Sequence, residues 1–205
     1  VTANPWADVS PPYRTIVADP PWKYQKDPGA KQPEQRGGRR GGQAERVYST
    51  MTNEELLRLP VDLLADDEAH LYLWVTNPGM FGGRFSDVTP ADIAGAWGFE
   101  FQTMLTWVKA PPGEEPAANG MGWYFRGATE HVLFATRGKL GIPAGQREVN
   151  VVMSRRSGHS VKPGAFYDRV ERVSPGPRIE LFARQPRLGW DAWGFGIEPV
   201  DATSG

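Results

Sequence analysis

The sequence predicts a single α/β domain with a mostly parallel sheet, and three observations carry that expectation. Apolar runs of strand length alternate with capped segments of helical character along most of the chain. Two of the strand-like runs end in stiff polar tips, D-P-P-W at residues 19–22 and N-P-G at residues 77–79; in open α/β sheets, ligands bind in the crevice outside such carboxyl ends. The 205 residues, 40% of them apolar and eight of them Trp, suffice for one real core, with no visible repeat or second domain.

Residues 1–13 are Pro-rich and aperiodic, a lead-in expected to pack loosely on the sheet. Ile16, Val17 and Ala18 then form a short apolar run suited to a buried strand. Asp19 follows, and Pro20 and Pro21 stop the strand, remove two N–H donors and fix φ. The expected result is a carboxylate, two free backbone carbonyls and the flat ring of Trp22 held together at a strand tip. By itself D-P-P also reads as plain turn punctuation.

Residues 24–46 have the oddest composition. Gly37, Gly38, Arg39, Arg40, Gly41 and Gly42 lie at their heart, and Lys23, Lys26, Lys31, Arg36, Arg39, Arg40 and Arg46 face only Asp27, Glu34 and Glu45. Such a stretch cannot form a core. It reads as a solvated insertion or, because it begins directly after the D-P-P-W tip, as a phosphate-gripping arm with Arg39 and Arg40 against substrate.

Thr52 followed by Glu55 is a capping-box pattern that starts a helix over residues 53–64, which Pro60 ends or kinks. Residues 70–76 (H-L-Y-L-W-V-T) predict a strand, residues 90–97 a short helix closed by Gly98, and residues 101–108 the next strand. A loop over residues 111–122 precedes strands at 130–136 (E-H-V-L-F-A-T) and 149–153. A basic loop with Arg155, Arg156, His159 and Lys162 leads into a helix over 163–173 with Pro in its first turn and Phe166, Val170 and Val173 facing inward. A strand over 179–183 follows the P-G-P turn, and the tail carries Trp190, Trp193 and G-F-G at residues 194–196.

Composition narrows the chemistry. The formal net charge of −1 leaves nucleic-acid contact to local basic patches. With no Cys, disulfides, thiolate zinc sites and Cys nucleophiles are excluded, and three scattered His lack metal-site spacing, so no metal is expected. No G-x-G-x-x-G dinucleotide fingerprint is present. No apolar run approaches the roughly eighteen residues of a membrane span, and the first residues lack a signal peptide's basic and apolar regions. A cytoplasmic protein with no membrane contact is the expectation.

The D-P-P-W tip suits an exocyclic amine on a flat heterocycle, such as adenine N6. That nitrogen's lone pair is delocalised into the ring, so it is a poor nucleophile until acceptors pull on its hydrogens. Asp19 could accept one N–H and the carbonyl of Pro20 the other. Trp22 could stack on the base, worth about 1–3 kcal/mol. Such a site positions an amine rather than hydrolysing a bond.

From residue 13 to residue 194 the chain resembles the DPPW family of S-adenosylmethionine-dependent N6-adenine methyltransferases related to the catalytic subunit of the mRNA adenosine methyltransferase. The ordered matches are A-D-P-P-W (18–22), Y-S-T-M (48–51), L-W-V-T-N (73–77), T-W-V-K (106–109), T-E-H-V-L (129–133), K-P (162–163), R-I-E-L-F-A-R (178–184) and G-W-D-A-W-G (189–194). The resemblance implies a Rossmann-like methyltransferase fold in permuted order, one domain over residues 1–205. The catalytic strand and turn would span 14–22, the basic loop 23–47 and the cofactor-side segment 154–196.

By position, the resemblance assigns Asp19, Pro20, Pro21 and Trp22 to the target amine. It gives Tyr48, Asn77 and Glu130 to the adenine side, and Asp19, Lys162, Arg184 and Gly194 to S-adenosylmethionine. Lys162, just before a helix N-terminus, would face the cofactor's methionine carboxylate. Asn77 also reads as a turn former and Arg184 as a surface salt-bridge cation. Where many relatives carry Asn and then an acidic or amide residue, this chain has Phe195 and Gly196, so backbone or Arg184 and Arg187 would supply those contacts. A compact chain of this kind resembles bacterial and phage members, expected to act on DNA, with RNA the alternative. A duplex adenine would have to be flipped out. Short or relaxed specificity, a homodimer or a partner subunit is expected. A non-catalytic binding subunit and a small-molecule or nucleoside methyltransferase are the other readings.

Overall fold

The computed structural model describes residues 5–23, 50–81, 86–117, 124–158 and 161–194. Tyr48, Arg39, Arg40, the rest of the basic arm, His159, Phe195 and Gly196 lie outside the described residues.

A seven-stranded sheet organises the chain. Its strands are β1 (Tyr13–Ala18), β2 (Ala65–Val75), β3 (Glu100–Val108), β4 (Thr129–Arg137), β5 (Val151–Met153), β6 (Arg178–Leu181) and β7 (Asp191–Trp193). Their spatial order is β5-β3-β4-β2-β1-β6-β7. β1 runs parallel to β2 and β6, β6 to β7, and β3 to β5, while β4 lies antiparallel between β2 and β3. The sheet is therefore mostly parallel with one reversed strand. Reversal matters for the site: His131 of β4 pairs with Val75 of β2, so β4 begins where β1, β2 and β6 finish.

Period-2 alternation divides the sheet into two cores. Ile16, Ala18, Leu71, Leu73, Leu133, Ala135, Ile179 and Leu181 face helices α1 (Asn53–Leu57) and α2 (Pro90–Ala96), meeting Leu56, Ile93 and Trp97. Val17, Tyr72, Trp74, Trp107, Val132 and Phe134 face α3 (Gly164–Val173), meeting Phe166, Tyr167 and Val170. Both layers close over the sheet as expected of α/β architecture.

The start of α1 follows the expected chemistry: Thr52 Oγ1 accepts the Glu55 N–H at 3.2 Å, and Glu55 Oε2 accepts the Thr52 N–H at 2.7 Å. The helix is shorter than residues 53–64, ending at Leu57, with a separate 3-10 turn at Val61–Leu63. Pro60 has no N–H to give and its ring would clash with the carbonyl four residues back. Helix α2 has a second capping box, Thr89 with Asp92, and closes as a Schellman motif: Gly98 N–H reaches Gly95 O and Phe99 N–H reaches Ala94 O. Gly98 holds φ at 84°, where a Cβ is costly.

Three details depart from expectation. The lead-in is not loose: Trp6 is 4% exposed, its Nε1 donates to Pro60 O at 3.0 Å, and its ring meets Trp193 edge-on at 4.8 Å. Strand β2 begins at Ala65, which pairs with Tyr13, rather than at residue 70, and its polar Asp66-Asp67-Glu68 stretch carries no apolar pattern to announce it. The tail forms β7, too short to signal itself, and Tyr13 Oη donates to Asp191 across β6. Among the described residues, no helix is long and apolar enough to cross a membrane.

Candidate active site

Asp19 sits one residue beyond β1, and its N–H donates to Leu181 O at 3.3 Å, continuing the β1–β6 ladder. The following turn is stiff, but its carbonyls are not free as the sequence suggests. Pro20 O accepts the Trp22 N–H and Pro21 O accepts the Met51 N–H, each at 2.9 Å. Each retains one lone pair, since a carbonyl oxygen has two. A short parallel bridge, Trp22 with Met51, ties the turn to the segment before α1. The half-buried Trp22 indole is fixed by Nε1 donating to Trp74 O at 3.0 Å.

Lys162, immediately before Pro163 at the head of α3, reaches back to this turn. Its Nζ lies 3.1 Å from Asp19 Oδ1, 2.8 Å from Glu130 Oε2 and 4.5 Å from the Trp74 ring centroid. The other oxygen of Glu130, Oε1, is 2.8 Å from Lys109 Nζ. Four charges thus alternate in a line, Asp19, Lys162, Glu130, Lys109, across the ends of β1, β4 and β3. The lysine expected to face a cofactor carboxylate is engaged with two carboxylates of the protein, and Glu130 meets cations.

Burial pushes the Asp19 carboxyl above its ordinary value, against the pull of Lys162 and Arg184. Burial would also raise Glu130, but Lys162 and Lys109 overcome it and hold that carboxyl below the usual range. Burial opposes the charge on Lys162, yet Asp19 and Glu130 raise its affinity for the proton.

Beside Asp19 opens a cleft of about 690 Å³, lined by Lys162, Gly164, Tyr167, Glu180, Phe182, Arg184 and Arg187 among others. Tyr167 Oη donates to Glu180 Oε1 at 2.7 Å, and burial raises both groups. The Arg187 guanidinium lies 4.0 Å from the Tyr167 ring centroid. Phe182, just past β6, holds φ at 61°, a strained conformation for a bulky residue and one that collects at ligand sites. Among the described residues, no group of His, Asp and Glu could hold a metal ion.

The structure therefore brings Asp19, Lys162, Glu130 and Arg184 together, with Pro20, Pro21 and Trp22 in the adjoining turn. Asn77 lies in a 3-10 turn after β2, exposed, its Nδ2 3.4 Å from Thr129 Oγ1. Gly194 does not line the cleft; a Cβ there would stand 2.3 Å from Ala183 O, so close packing of the β6 and β7 ends accounts for it. Three participants escaped sequence reasoning. Lys109 was visible as the last letter of T-W-V-K, and Glu180 as the acid within R-I-E-L-F-A-R. Tyr167 had no signal beyond its helix.

Comparisons with known proteins agree with the geometry. A family model described as MT-A70 matches residues 13–196. The chain is 33% identical over 209 residues to the "Type II methyltransferase M.MunI" of a Mycoplasma species, covering 95% of this chain and 84% of that protein. It is 30% identical over 175 residues to the human "N(6)-adenosine-methyltransferase catalytic subunit METTL3", covering 84% of this chain and 26% of that protein. An "N6-methyladenosine RNA methyltransferase MTA1" from Cryphonectria parasitica is 30% identical over 196 residues, 92% of this chain and 53% of that protein. The chain thus spans most of the first relative but only about a quarter of the human one.

Proposed function

We infer the chemistry from one premise: the chain belongs to the MT-A70 family. It is a methyltransferase that moves a methyl group from S-adenosylmethionine to the N6 amine of adenine in DNA. The observation that carries this reading is Asp19, a buried carboxylate at a strand end, set between a rigid D-P-P-W turn and a cationic cleft.

The residues around the cleft suit the cofactor. About 690 Å³ holds a nucleoside bearing an amino-acid tail. Lys162, Arg184 and Arg187 offer cations for a carboxylate, Glu180 an acceptor for hydroxyl groups, and Phe182 an apolar surface. When bound, S-adenosylmethionine supplies an electrophilic methyl group on a sulfonium.

Everything else falls to this chain's own side chains. Asp19 accepts one N–H of the amine and so returns electron density to the nitrogen. Its raised proton affinity makes it a better acceptor than an exposed aspartate. The unused lone pair of Pro20 O takes the second N–H, favouring the tetrahedral nitrogen that develops. Trp22, fixed by Trp74 O, offers a flat wall for the base. Lys162 keeps Asp19 ionised between turnovers.

DNA is favoured because the chain covers 84% of a bacterial type II methyltransferase. RNA is the second reading, favoured by the adenosine and RNA named in the other relatives. A transfer assay with labelled S-adenosylmethionine, offering duplex DNA, single-stranded DNA, RNA and free adenosine, decides between them. Label is expected in DNA, at N6 of adenine, and absent with Asp19→Ala. Label in RNA alone would move the substrate. Equal incorporation by Asp19→Ala would overturn the mechanism.

A further inference from the structure

We propose that Lys109 is a positioning residue for methyl transfer: through Glu130 it sets how firmly Lys162 holds Asp19. This rests on the reading of Asp19 as the acceptor for the amine, and it gives a role to the lysine of the T-W-V-K stretch.

The geometry is a contest with two sides. Lys162 stands between two carboxylates, 3.1 Å from Asp19 and 2.8 Å from Glu130. Glu130 is itself shared, one oxygen on Lys162 and the other 2.8 Å from Lys109. The side chains of Lys162, Asp19, Lys109 and Glu130 are only 11%, 14%, 21% and 26% exposed, so water screens their interactions weakly.

Lys109 is well placed to hold its end of the line. Trp107 of β3 pairs with Glu130 of β4, and the Lys109 N–H donates to Ala128 O at 2.9 Å. Its ammonium lies 5.5 Å from the centroid of the Trp107 ring. That ring is locked by Nε1 donating to Ser154 O at 3.1 Å. The charge is therefore presented one residue past the end of β3, from backbone still hydrogen-bonded to the segment that leads into β4.

Removal of Lys109 leaves Lys162 alone in this line to serve two largely buried carboxylates, with Arg184 the other cation acting on Asp19. Glu130, no longer half-neutralised, draws Lys162 toward itself, and Asp19 loses part of its counter-charge. Asp19 then holds a proton to higher pH, and a protonated carboxyl accepts the amine's N–H poorly. Loss of a positive charge nearby acts in the same direction. The other groups facing Asp19 are Arg184 and Glu180 at the end of β6 and Tyr167 on α3; His131 flanks Glu130. None of them changes with Lys109.

The test compares wild type, Lys109→Met and Lys109→Arg across pH. In Lys109→Met the acid limb of kcat/KM should move up by about one pH unit, so that rates below the limb fall about tenfold while those well above it approach wild type. Lys109→Arg should restore the wild-type limb. A carboxyl-carbon NMR titration of the protein without cofactor, with Asp19 assigned by Asp19→Asn, should show the same upward shift without reference to activity. Superimposable limbs and titrations, or a loss of rate that is uniform with pH and tracks the folded fraction, would overturn the proposal. If wild type methylates nothing, the functional reading fails, and the titration still decides whether Lys109 is coupled to Asp19.

Discussion

On the face covered by α1 and α2, β1 presents Ile16 and Ala18, β2 presents Leu71 and Leu73, and β6 presents Ile179 and Leu181. On the face under α3, β1 presents Val17, while β2 and β4 turn rings inward, Tyr72, Trp74 and Phe134 among them. The strands are shared, but the chemistry is not. The aliphatic side chains that the strands present to the first face leave no polar atom of their own to satisfy, and the rings packed over them, Trp6 and Trp97, each donate an indole N–H to a backbone carbonyl. Rings have quadrupolar faces and polar tips, so a wall built from them can border charge. Trp74 shows this directly: one of its faces carries the Lys162 ammonium at 4.5 Å, and it packs at steep angles against Phe166 and Trp107. The aromatic layer also encloses a buried polar relay, Tyr72 to Ser174 to His70, with 2.7 Å between successive atoms, ending on Leu140 O at 3.0 Å. One face supplies stability, and the other builds toward the cleft.

The sharpest test of that division removes Asp19. Asp19→Ala should lower methyl transfer by about 10²–10⁴-fold, measured with labelled S-adenosylmethionine. The thermal midpoint should change little, because burial disfavours the charged carboxylate and Lys162 keeps Glu130 as its partner. A variant that unfolds instead would mean that the ion pair holds the fold.

The aliphatic face should behave in the opposite way. Leu71 is fully buried, and Leu71→Ala should cost about 2–5 kcal/mol from lost transfer energy and the cavity left behind. Urea denaturation gives that number, and transfer per folded molecule should stay near wild type. Loss of activity at full stability would break the comparison.

Much of this organisation could be read from the chain, for a physical reason. Ile16-Val17-Ala18, L-Y-L-W-V and V-L-F-A are unbroken apolar runs, as strands covered on both faces must be, and such a run announces itself. The caps at Thr52 and Gly98 are equally local. Antiparallel pairing of β4 was invisible, because strand direction depends on how a connection returns. Glu130 consequently reached Lys162 by topology and not by spacing. Lys162 and Asp19, 143 positions apart, were each suspected from motifs, but their contact with one another was not. The carbonyls of Pro20 and Pro21 were misjudged because their donors, Trp22 and Met51, come from the turn itself and from a segment beyond the basic arm.

A pH experiment separates the faces by a smaller effect. His70 is fully buried on the aromatic side, and burial holds its pKa below 6.5. The unfolded chain therefore takes up the proton first. Stability should be full above 6.5 and should fall as pH drops from there toward the lower folded value. Among the described residues, the core on the other face holds no buried His. The urea midpoint should thus decline as pH falls below 6.5 in wild type and decline less in His70→Gln. His131, shifted in the same direction, contributes to what slope remains. An unchanged slope in His70→Gln would remove His70 from the account.

The smallest effect belongs to the edge of the aliphatic layer, where backbone rather than side chain is at issue. Gly98 ends α2 at a φ of 84°, and a Cβ there would meet nothing nearer than Arg137 Nη1 at 3.7 Å. Space is therefore available, and any cost of Gly98→Ala is conformational. An L-residue in the left-handed region pays about 1 kcal/mol, partly offset by the smaller entropy of the unfolded alanine chain. The expected loss is about 0.5–1 kcal/mol in urea denaturation, with transfer activity unaltered because α2 lies across the sheet from the cleft. A loss of several kcal/mol would mean that the Schellman hydrogen bonds from Gly98 and Phe99 fix the whole α2–β3 connection.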